Sequence, residues 1–276
     1  MRRLIIPILL TLSFNVYSQL PTNGLVGYYP FNGDANDNSV NNKHGIVNGA
    51  TPTTNRFDYA NAAYYFDGVD DYIAIPDSFM ITNEFTICFW AKSENITGLS
   101  NILSDGSSAY SGNDFLLGFN GNSIRLRADK QASLNYENTS PTELQNLSLL
   151  NNWVHVVWVM EPSYSKIYLN GNELLTINTL GSNLGFHDDF ALIGGRQVWG
   201  SVDSYFKGSL DDILFYNRVL TSDEISDIYN GTICTETIYD TVHVYNNQIQ
   251  YLKYESYYSA DDGQVNVYEI QAYNNG

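Results

Sequence analysis

The fold class is indicated most clearly by residues 153–177, WVHVVWVMEPSYSKIYLNGNELLTI. Trp153–Met160 is a nearly continuous apolar run, which is typical of a central strand that is covered on both faces. The next two apolar runs, Tyr164–Leu169 and Glu173–Ile177, flank Asn170-Gly171, and an Asn-Gly pair between such runs is a strong hairpin signal. The segment therefore predicts a buried strand followed by a β-hairpin.

Short apolar runs separated by turn residues extend on both sides of this segment. Asn120-Gly121-Asn122 joins the runs Asp114–Asn120 and Ser123–Ala128 as a second predicted hairpin. Regularly spaced short strands with such turns favour a sandwich of two antiparallel sheets. The other predicted strands are Leu25–Phe31, Ala63–Phe66, Tyr72–Ile75, Glu84–Lys92, Phe190–Gly194 and Lys207–Tyr216.

The composition narrows the range of partners. The chain has 276 residues, of which 43% are hydrophobic and only 16% charged, and its formal net charge is −17. A protein this acidic repels phosphate backbones, so the charge argues against nucleic-acid binding, and it also disfavours an anionic membrane surface. Neutral glycans, cations and basic extracellular proteins remain as partners.

Residues 1–18 resemble a secretory signal peptide. Arg2 and Arg3 precede the apolar run Leu4–Phe14, and Val16 and Ser18 suit cleavage after residue 18. The alternative is an N-terminal anchor helix, but the run is about half the length that spans a bilayer, and no later segment is predicted to cross one. We expect a secreted or cell-surface protein.

One short helix and a distinct tail complete the predicted organisation. Thr221-Ser222-Asp223-Glu224 is a capping box, which predicts a helix over Thr221–Tyr229. Residues 232–276 hold 8 of the 22 tyrosines and neither Trp nor Phe, so they differ from the sandwich over residues 19–231. They form a tail or linker, or the start of a further β element.

Four motifs are specific enough to indicate a family. They are Gly24–Asp37, Tyr64–Ile73, Phe85–Trp90 with Asn152–Val156, and Phe206–Ile213 with Tyr216–Leu220. In order and spacing the chain resembles the laminin-G-like, concanavalin A-like lectin/glucanase jelly rolls of bacterial secreted type. The resemblance implies an all-β, two-sheet antiparallel jelly-roll sandwich, here with one short C-terminal helix and a Tyr-rich β tail. It also implies a structural calcium and a binding or adhesion function.

Calcium ligands are predicted at an oxygen-rich turn. Asp34, Asp37 and Asn38 supply hard oxygen atoms on one loop, which suits Ca²⁺, although an Asx-rich turn that binds its own amides has the same pattern. The resemblance places Asp211 and Asp212 near this turn, so that one of them would complete the calcium shell.

Strand alternation gives the two adjacent aspartates different surroundings. It puts Asp211 on the core face with Ile213 and Phe215, where a carboxylate needs a metal, an arginine or several amides as a partner.

A further acidic turn contains Asp67, Asp70 and Asp71 around Gly68. It is interpreted first as a connection between two strands and second as another cation site.

The predicted ligand-binding residues lie in two loops. The first contains Arg196, Trp199, Asp203 and Tyr205 between two strands, and the second contains Tyr110. Aromatic rings beside a few polar groups are what a sugar site needs. The alternative is that Trp199 and Tyr205 only cover the edge of the sandwich.

The sequence favours a non-catalytic module. It has no strand with carboxylates at i and i+2 or i+4, the arrangement that a retaining glucanase of this fold needs, and no nucleophile elbow, P-loop or HExxH motif. The alternatives are a protein–protein adhesion domain without glycan affinity, and a carbohydrate-active hydrolase or lyase. His155 is interpreted as a structural strand residue, and a disulfide between Cys88 and Cys234 is left open.

Overall fold

The computed structural model describes residues 16–17, 20–76, 84–95, 98–105, 115–120, 123–128, 135–137, 150–178, 190–198, 201–231 and 233–234. The chain divides into two compact units, one formed by Leu20–Asn230 and the other by Met1–Gln19 with Gly231–Gly276. Within the latter unit, strand β1 (Val16–Tyr17) pairs antiparallel with β19 (Ile233–Cys234).

The unit Leu20–Asn230 contains two large sheets in which neighbouring strands run antiparallel. The seven-stranded sheet has the order β11 (Asn135–Glu137), β10 (Ser123–Ala128), β9 (Phe115–Asn120), β8 (Leu99–Asp105), β15 (Phe190–Ile193), β6 (Tyr72–Pro76) and β3 (Ile46–Asn48). The eight-stranded sheet has the order β14 (Asn172–Asn178), β13 (Tyr164–Leu169), β12 (Val154–Met160), β7 (Phe85–Ser93), β18 (Lys207–Tyr216), β5 (Ala63–Asp67) and β4 (Thr51–Thr53), and β2 (Leu25–Tyr29) also pairs with β18. A small hairpin consists of β16 (Arg196–Val198) and β17 (Ser201–Asp203). The predicted all-β sandwich of two antiparallel sheets is confirmed.

Strand β12 is buried on both faces, as its apolar run predicts. Val156 and Trp158 belong to the main core, which side chains of both sheets form, whereas Val157 and Val159 belong to a smaller cluster on the outer face of the eight-stranded sheet. The Trp158 indole donates a hydrogen bond of 2.7 Å to Ser165 Oγ, so its one polar group is satisfied in the core.

The predicted hairpin between β13 and β14 is confirmed. Leu169 is opposite Asn172, so Asn170 and Gly171 form a two-residue turn, and their φ angles are 50° and 77°. Both residues of a type I′ turn need positive φ, which is why Asn-Gly is favoured there.

The predicted orientation of Asp211 is wrong because β18 contains a bulge. The register against β7 shifts between Asp211 and Leu214, and Asp212 adopts a φ of 45°. Leu210 and Ile213 both belong to the main core, although they are three residues apart. The extra residue reverses the alternation, so Asp211 lies opposite Trp90 on the outer face instead of sharing the core face with Ile213.

Helix α1 (Ser222–Asn230) begins one residue later than predicted because Thr221 is its N-cap. Thr221 N donates to Glu224 Oε2 at 2.9 Å, and Glu224 N donates to Thr221 Oγ1 at 3.2 Å. Ile225 is fully buried in the outer cluster, so the helix covers part of the eight-stranded sheet. No helix among the described residues is long and apolar enough to cross a membrane.

We predict that Thr221→Ala lowers the free energy of unfolding by about 1 kcal/mol, because it removes the acceptor for the Glu224 amide. Chemical denaturation measures the loss. Ser222→Ala, one residue further along, is the matched control and should change stability by less than about 0.5 kcal/mol. Equal losses for the two variants would contradict the capping role.

Candidate functional site

A tight acidic turn connects the two large sheets. Strand β5 ends at Asp67 and β6 begins at Tyr72, and Gly68 between them has a φ of 79°. Asp67 Oδ1 accepts a hydrogen bond of 2.7 Å from Val69 N, and Asp67 N donates to Asp71 Oδ2 at 2.8 Å. These bonds fix the conformation of what we call the Asp67–Asp71 turn.

Three carboxylates converge in this turn. Oxygens of Asp67, Asp70 and Asp71 all lie within 4.8 Å of one another, with Asp71 buried and Asp70 exposed. Burial, together with repulsion from the two neighbouring carboxylates, raises the pKa of Asp71, although the hydrogen bond from Asp67 N opposes the shift. Carboxylate oxygens are the ligands that calcium prefers. The group could therefore hold a metal ion.

The calcium ligands that we predicted first have other partners in the structure. Asp37 accepts hydrogen bonds from the amides of Tyr28, Ser39 and Lys43 at 2.8–2.9 Å. Asp34 accepts one of 2.9 Å from Asn36 N. This is the Asx-rich turn that the sequence left as the alternative.

Asn38 is exposed, and its backbone N–H donates a hydrogen bond of 2.7 Å to the carbonyl of Tyr28. Among the described residues, Asp67, Asp70 and Asp71 are the one group of three or more potential metal-ligating side chains whose ligand atoms all lie within 4.8 Å of one another. Asp34, Asp37, Asp211 and Asp212 do not form such a group. Calcium at the turn of Asp34, Asp37 and Asn38 stays a prediction.

Asp211 and Asp212 share a single arginine. Arg56 Nη1 lies 2.7 Å from Asp211 Oδ2 and 2.6 Å from Asp212 Oδ2, and the Asp211 side chain is only 2% exposed. Burial first, and then repulsion by Asp212, raise the pKa of Asp211 despite the guanidinium. Arginine was one of the three partners that the sequence allowed for Asp211, but Arg56 is too distant along the chain for any local pattern to identify it.

The residues of the first predicted ligand loop form a braced hairpin. Arg196 and Asp203 are opposite each other on β16 and β17, and two hydrogen bonds of 2.9 Å join the guanidinium to the carboxylate. These bonds lower the pKa of Asp203. Tyr205 is half-buried and donates to the carbonyl of Val202 at 2.9 Å. Trp199 and Tyr110 lie outside the described residues.

Tyr205 links this hairpin to the Asp67–Asp71 turn. It lies two residues after the end of β17 and two residues before Lys207, which pairs with Asp67 across β18 and β5. Burial raises the pKa of the Tyr205 hydroxyl, and the charges of Tyr72, Asp70 and Asp203 raise it further. The structure therefore brings the acidic turn, Tyr205 and the Arg196–Asp203 pair to one region. No sequence pattern connects the turn with the hairpin, because more than a hundred residues separate them.

Two other candidate residues are structural. His155 is 1% exposed, more deeply buried than the half-buried position expected, because its ring packs 5.1 Å from Trp90 and 5.8 Å from Tyr229 of α1. Burial, with a smaller contribution from Arg56, lowers the pKa of His155 to about 3, so the ring is neutral at physiological pH. Cys88 is a buried free thiol in the smaller cluster on the outer face of the eight-stranded sheet, and burial raises its pKa.

Solved structures with the same fold include binding domains of botulinum neurotoxins. The botulinum neurotoxin serotype D binding domain superposes with a TM-score of 0.58 at 15% identity over 77% of this chain and 53% of that one. The serotype D ligand-binding domain in complex with N-acetylneuraminic acid gives 0.59 at 16% identity, over 77% and 52% of the two chains. Domain 4 of AbnA, an extracellular GH43 arabinanase from Geobacillus stearothermophilus solved with arabinotriose, gives 0.50 at 20% identity, over 74% and 98%.

The fold and these similarities define a jelly-roll domain of the concanavalin A-like class. The chain belongs to the Laminin_G_3 family of the concanavalin A-like lectin/glucanases superfamily, whose family model matches residues 67–226. It spans about half the length of the neurotoxin binding domains that it resembles. No curated protein sequence matches it significantly.

We predict that calcium raises the melting temperature and that EDTA reverses the effect. At a calcium concentration 100-fold above Kd the gain is about 2.7 kcal/mol, which corresponds to roughly 5–10 °C for a domain of this size. In Asp70→Asn the gain should shrink, while the melting temperature in EDTA stays the same or rises because repulsion of Asp71 is removed. Differential scanning fluorimetry measures both.

Asp58→Asn, at an exposed position outside the turn, is the control and should keep the full calcium effect.

The increase in melting temperature that calcium causes should also grow with pH. The raised pKa of Asp71 means that the folded state holds this proton more tightly, so stability without metal falls as pH rises from 3.8 through the folded pKa. Calcium replaces the proton over the same window. A melting temperature that calcium does not change at any pH would contradict the metal site.

We also predict that Arg56→Ala destabilises the fold by about 3–5 kcal/mol, because it leaves the buried Asp211 carboxylate without its cation. The double variant Arg56→Ala/Asp211→Asn should recover part of the loss. Lys166→Ala removes an ion pair with Glu173 that is largely exposed, and this control should cost less than about 1 kcal/mol. Urea unfolding of the three variants tests the account, and similar losses for Arg56→Ala and Lys166→Ala would refute it.

Proposed function

We propose that this chain is a non-catalytic carbohydrate-binding module. Its binding surface would consist of the Asp67–Asp71 turn, with a bound calcium ion, the β16–β17 hairpin, and Tyr205, which follows the hairpin. The observation that carries the proposal is the pairing of Lys207 with Asp67, which places Tyr205, two residues before Lys207, beside the Asp67–Asp71 turn. This proximity combines an aromatic ring, a cation site and hydrogen-bonding side chains in one place, the usual composition of a sugar site.

The chemistry of the turn supports a role for calcium in ligand binding. Calcium takes six to eight oxygen ligands in a flexible geometry. Asp67, Asp70 and Asp71 supply only part of that number, and Asp70 is exposed. The remaining positions would be open to backbone carbonyls, water or the hydroxyl groups of a sugar that packs against Tyr205.

The similar structures support carbohydrate as the ligand class. Arabinotriose is bound in the arabinanase domain and N-acetylneuraminic acid in the neurotoxin domain. With a net charge of −17, the present chain suits a neutral sugar better than an acidic one. Because the similar neurotoxin structures are binding domains, we favour a non-catalytic role over a hydrolase or lyase.

The signal-like residues 1–18 support export to the cell surface or the medium, where neutral polysaccharides and millimolar calcium occur together. A protein–protein adhesion role without glycan affinity is the main alternative. The experiment below distinguishes the two.

We predict that the full chain binds arabinan or arabinotriose in calcium, and that EDTA weakens the binding at least tenfold. Tyr205→Ala should weaken it by a similar factor, about 1.4 kcal/mol, because the aromatic contact is lost. Tyr164→Ala, at a half-buried tyrosine on β13, three strands away from β18 in the eight-stranded sheet, is the control and should bind like the unaltered chain. Isothermal titration calorimetry measures the affinities, with sialyllactose as the acidic comparison sugar.

Absence of binding to a wider panel of neutral polysaccharides, with and without calcium, would contradict the proposal and favour the adhesion alternative. Release of reducing sugar from any of them would instead show an enzyme. Trp199→Ala tests the remaining residue of the predicted loop by the same titration.

A further inference from the structure

Two aromatic rings lie side by side on the surface, outside the Asp67–Asp71 turn. Phe57 and Tyr59 are 60% and 66% exposed, and their ring centroids are 6.4 Å apart with the planes tilted by 56°. They belong to the connection between β4 and β5, before the N-terminal end of β5, whereas the Asp67–Asp71 turn follows its C-terminal end. A fold leaves two large adjacent rings in water only at a cost in hydration, so such a pair suggests a binding surface.

The loop that carries these rings is pre-organised. Asn55 Oδ1 accepts hydrogen bonds from Phe57 N at 2.9 Å and from Tyr59 N at 3.1 Å, and Asn55 N donates to the carbonyl of Tyr59 at 3.0 Å. Asp58, between the two rings, has a φ of 65°, which turns the chain tightly. A ligand that contacts the rings would therefore lose little binding energy to ordering of the loop.

Arg56 anchors the loop to the body of the sandwich. Its guanidinium lies 4.3 Å from the centroid of the Phe57 ring and 4.6 Å from that of Trp90, and it forms ion pairs with Asp211 and Asp212. The buried ion pairs hold Arg56 in one position, and Arg56 in turn supports the Phe57 ring from one side. The aromatic pair is thus a rigid part of the molecule.

The charges near the pair select the kind of ligand. Asp211 and Asp212 share and offset the single charge of Arg56, and Asp58 adds an exposed carboxylate between the rings. This negative environment disfavours phosphate, sulfate and acidic sugars. It suits a neutral sugar, whose C–H face packs on an electron-rich aromatic ring while its hydroxyls donate to carboxylate or amide oxygens.

We propose that Phe57 and Tyr59 form a second carbohydrate site, which binds neutral polysaccharide without calcium. The inference relies on the proposed function for the ligand class, but its residues and its independence of metal set it apart. Because the rings are tilted, they present two separate contact faces, which fits a chain of sugars better than a single monosaccharide. A second site on the same domain would increase avidity for a polysaccharide through local concentration.

The test is affinity electrophoresis of the full chain in gels that contain arabinan, xylan or galactomannan. All gels are run in EDTA so that no calcium can bind to the Asp67–Asp71 turn. We expect retardation by at least one of these neutral polymers, and a loss of at least tenfold in affinity for Phe57→Ala/Tyr59→Ala. Val40→Ala, at an apolar position that is 88% exposed in another loop, is the matched control and should not change retardation. Unchanged melting temperatures establish that the variants fold.

Three outcomes would overturn the second site: no retardation by any neutral polymer in EDTA, retardation that the double variant leaves unchanged, or preferential binding of the acidic polymer polygalacturonate. Each differs from failure of the proposed function, which concerns binding in calcium and its dependence on Tyr205. If the rings serve a protein partner instead, the first of these outcomes is the one observed.

Discussion

The pairing of strand β18 with three other strands holds the eight-stranded sheet together. Strand β18 pairs with β7, β5 and β2, so it connects strands that are distant in sequence at the centre of the eight-stranded sheet. One face of the strand contributes Ile213 and Phe215 to the main core, and the other contributes Leu214 and Tyr216 to the cluster beneath α1. A strand that is buried on both faces has no surface on which to place a charge without a partner, and β18 contains two adjacent aspartates.

The bulge at Asp211–Asp212 resolves this conflict. It reverses the alternation, so Asp211 leaves the main core and meets Arg56 on the outer face, where Trp90 packs against the guanidinium. The same ion pairs position the loop that exposes Phe57 and Tyr59. A backbone irregularity in the centre of the sheet therefore determines both the stability of the outer face and the presentation of a surface feature.

Much of the fold could be predicted from the sequence because its signals are local. The Asn170-Gly171 hairpin, the doubly buried strand Val154–Met160 and the capping box at Thr221 each depend on neighbouring residues, and each is confirmed. The bulge between Asp211 and Leu214 could not be predicted. Strand alternation assumes a regular register, and the local sequence pattern does not indicate an extra residue.

The candidate site was predictable only in part, for a related reason. The residues of the β16–β17 hairpin are close in sequence, so their grouping was evident, although the structure shows that Arg196 and Asp203 are already paired with each other. The calcium prediction favoured Asp37, whose oxygens are occupied by backbone amides, and ranked the Asp67–Asp71 turn second. Sequence shows which oxygens are available on a loop, but which of them lie within reach of one ion depends on turn geometry.

We propose that the Asp67–Asp71 turn holds calcium beside Tyr205, and the position of the bound metal tests this most directly. A crystal structure of the protein grown in calcium, with the ion located by its anomalous scattering, should show density between the carboxylates of Asp67, Asp70 and Asp71. Density at Asp34, Asp37 and Asn38 instead, or no ordered ion at either turn, would contradict the claim.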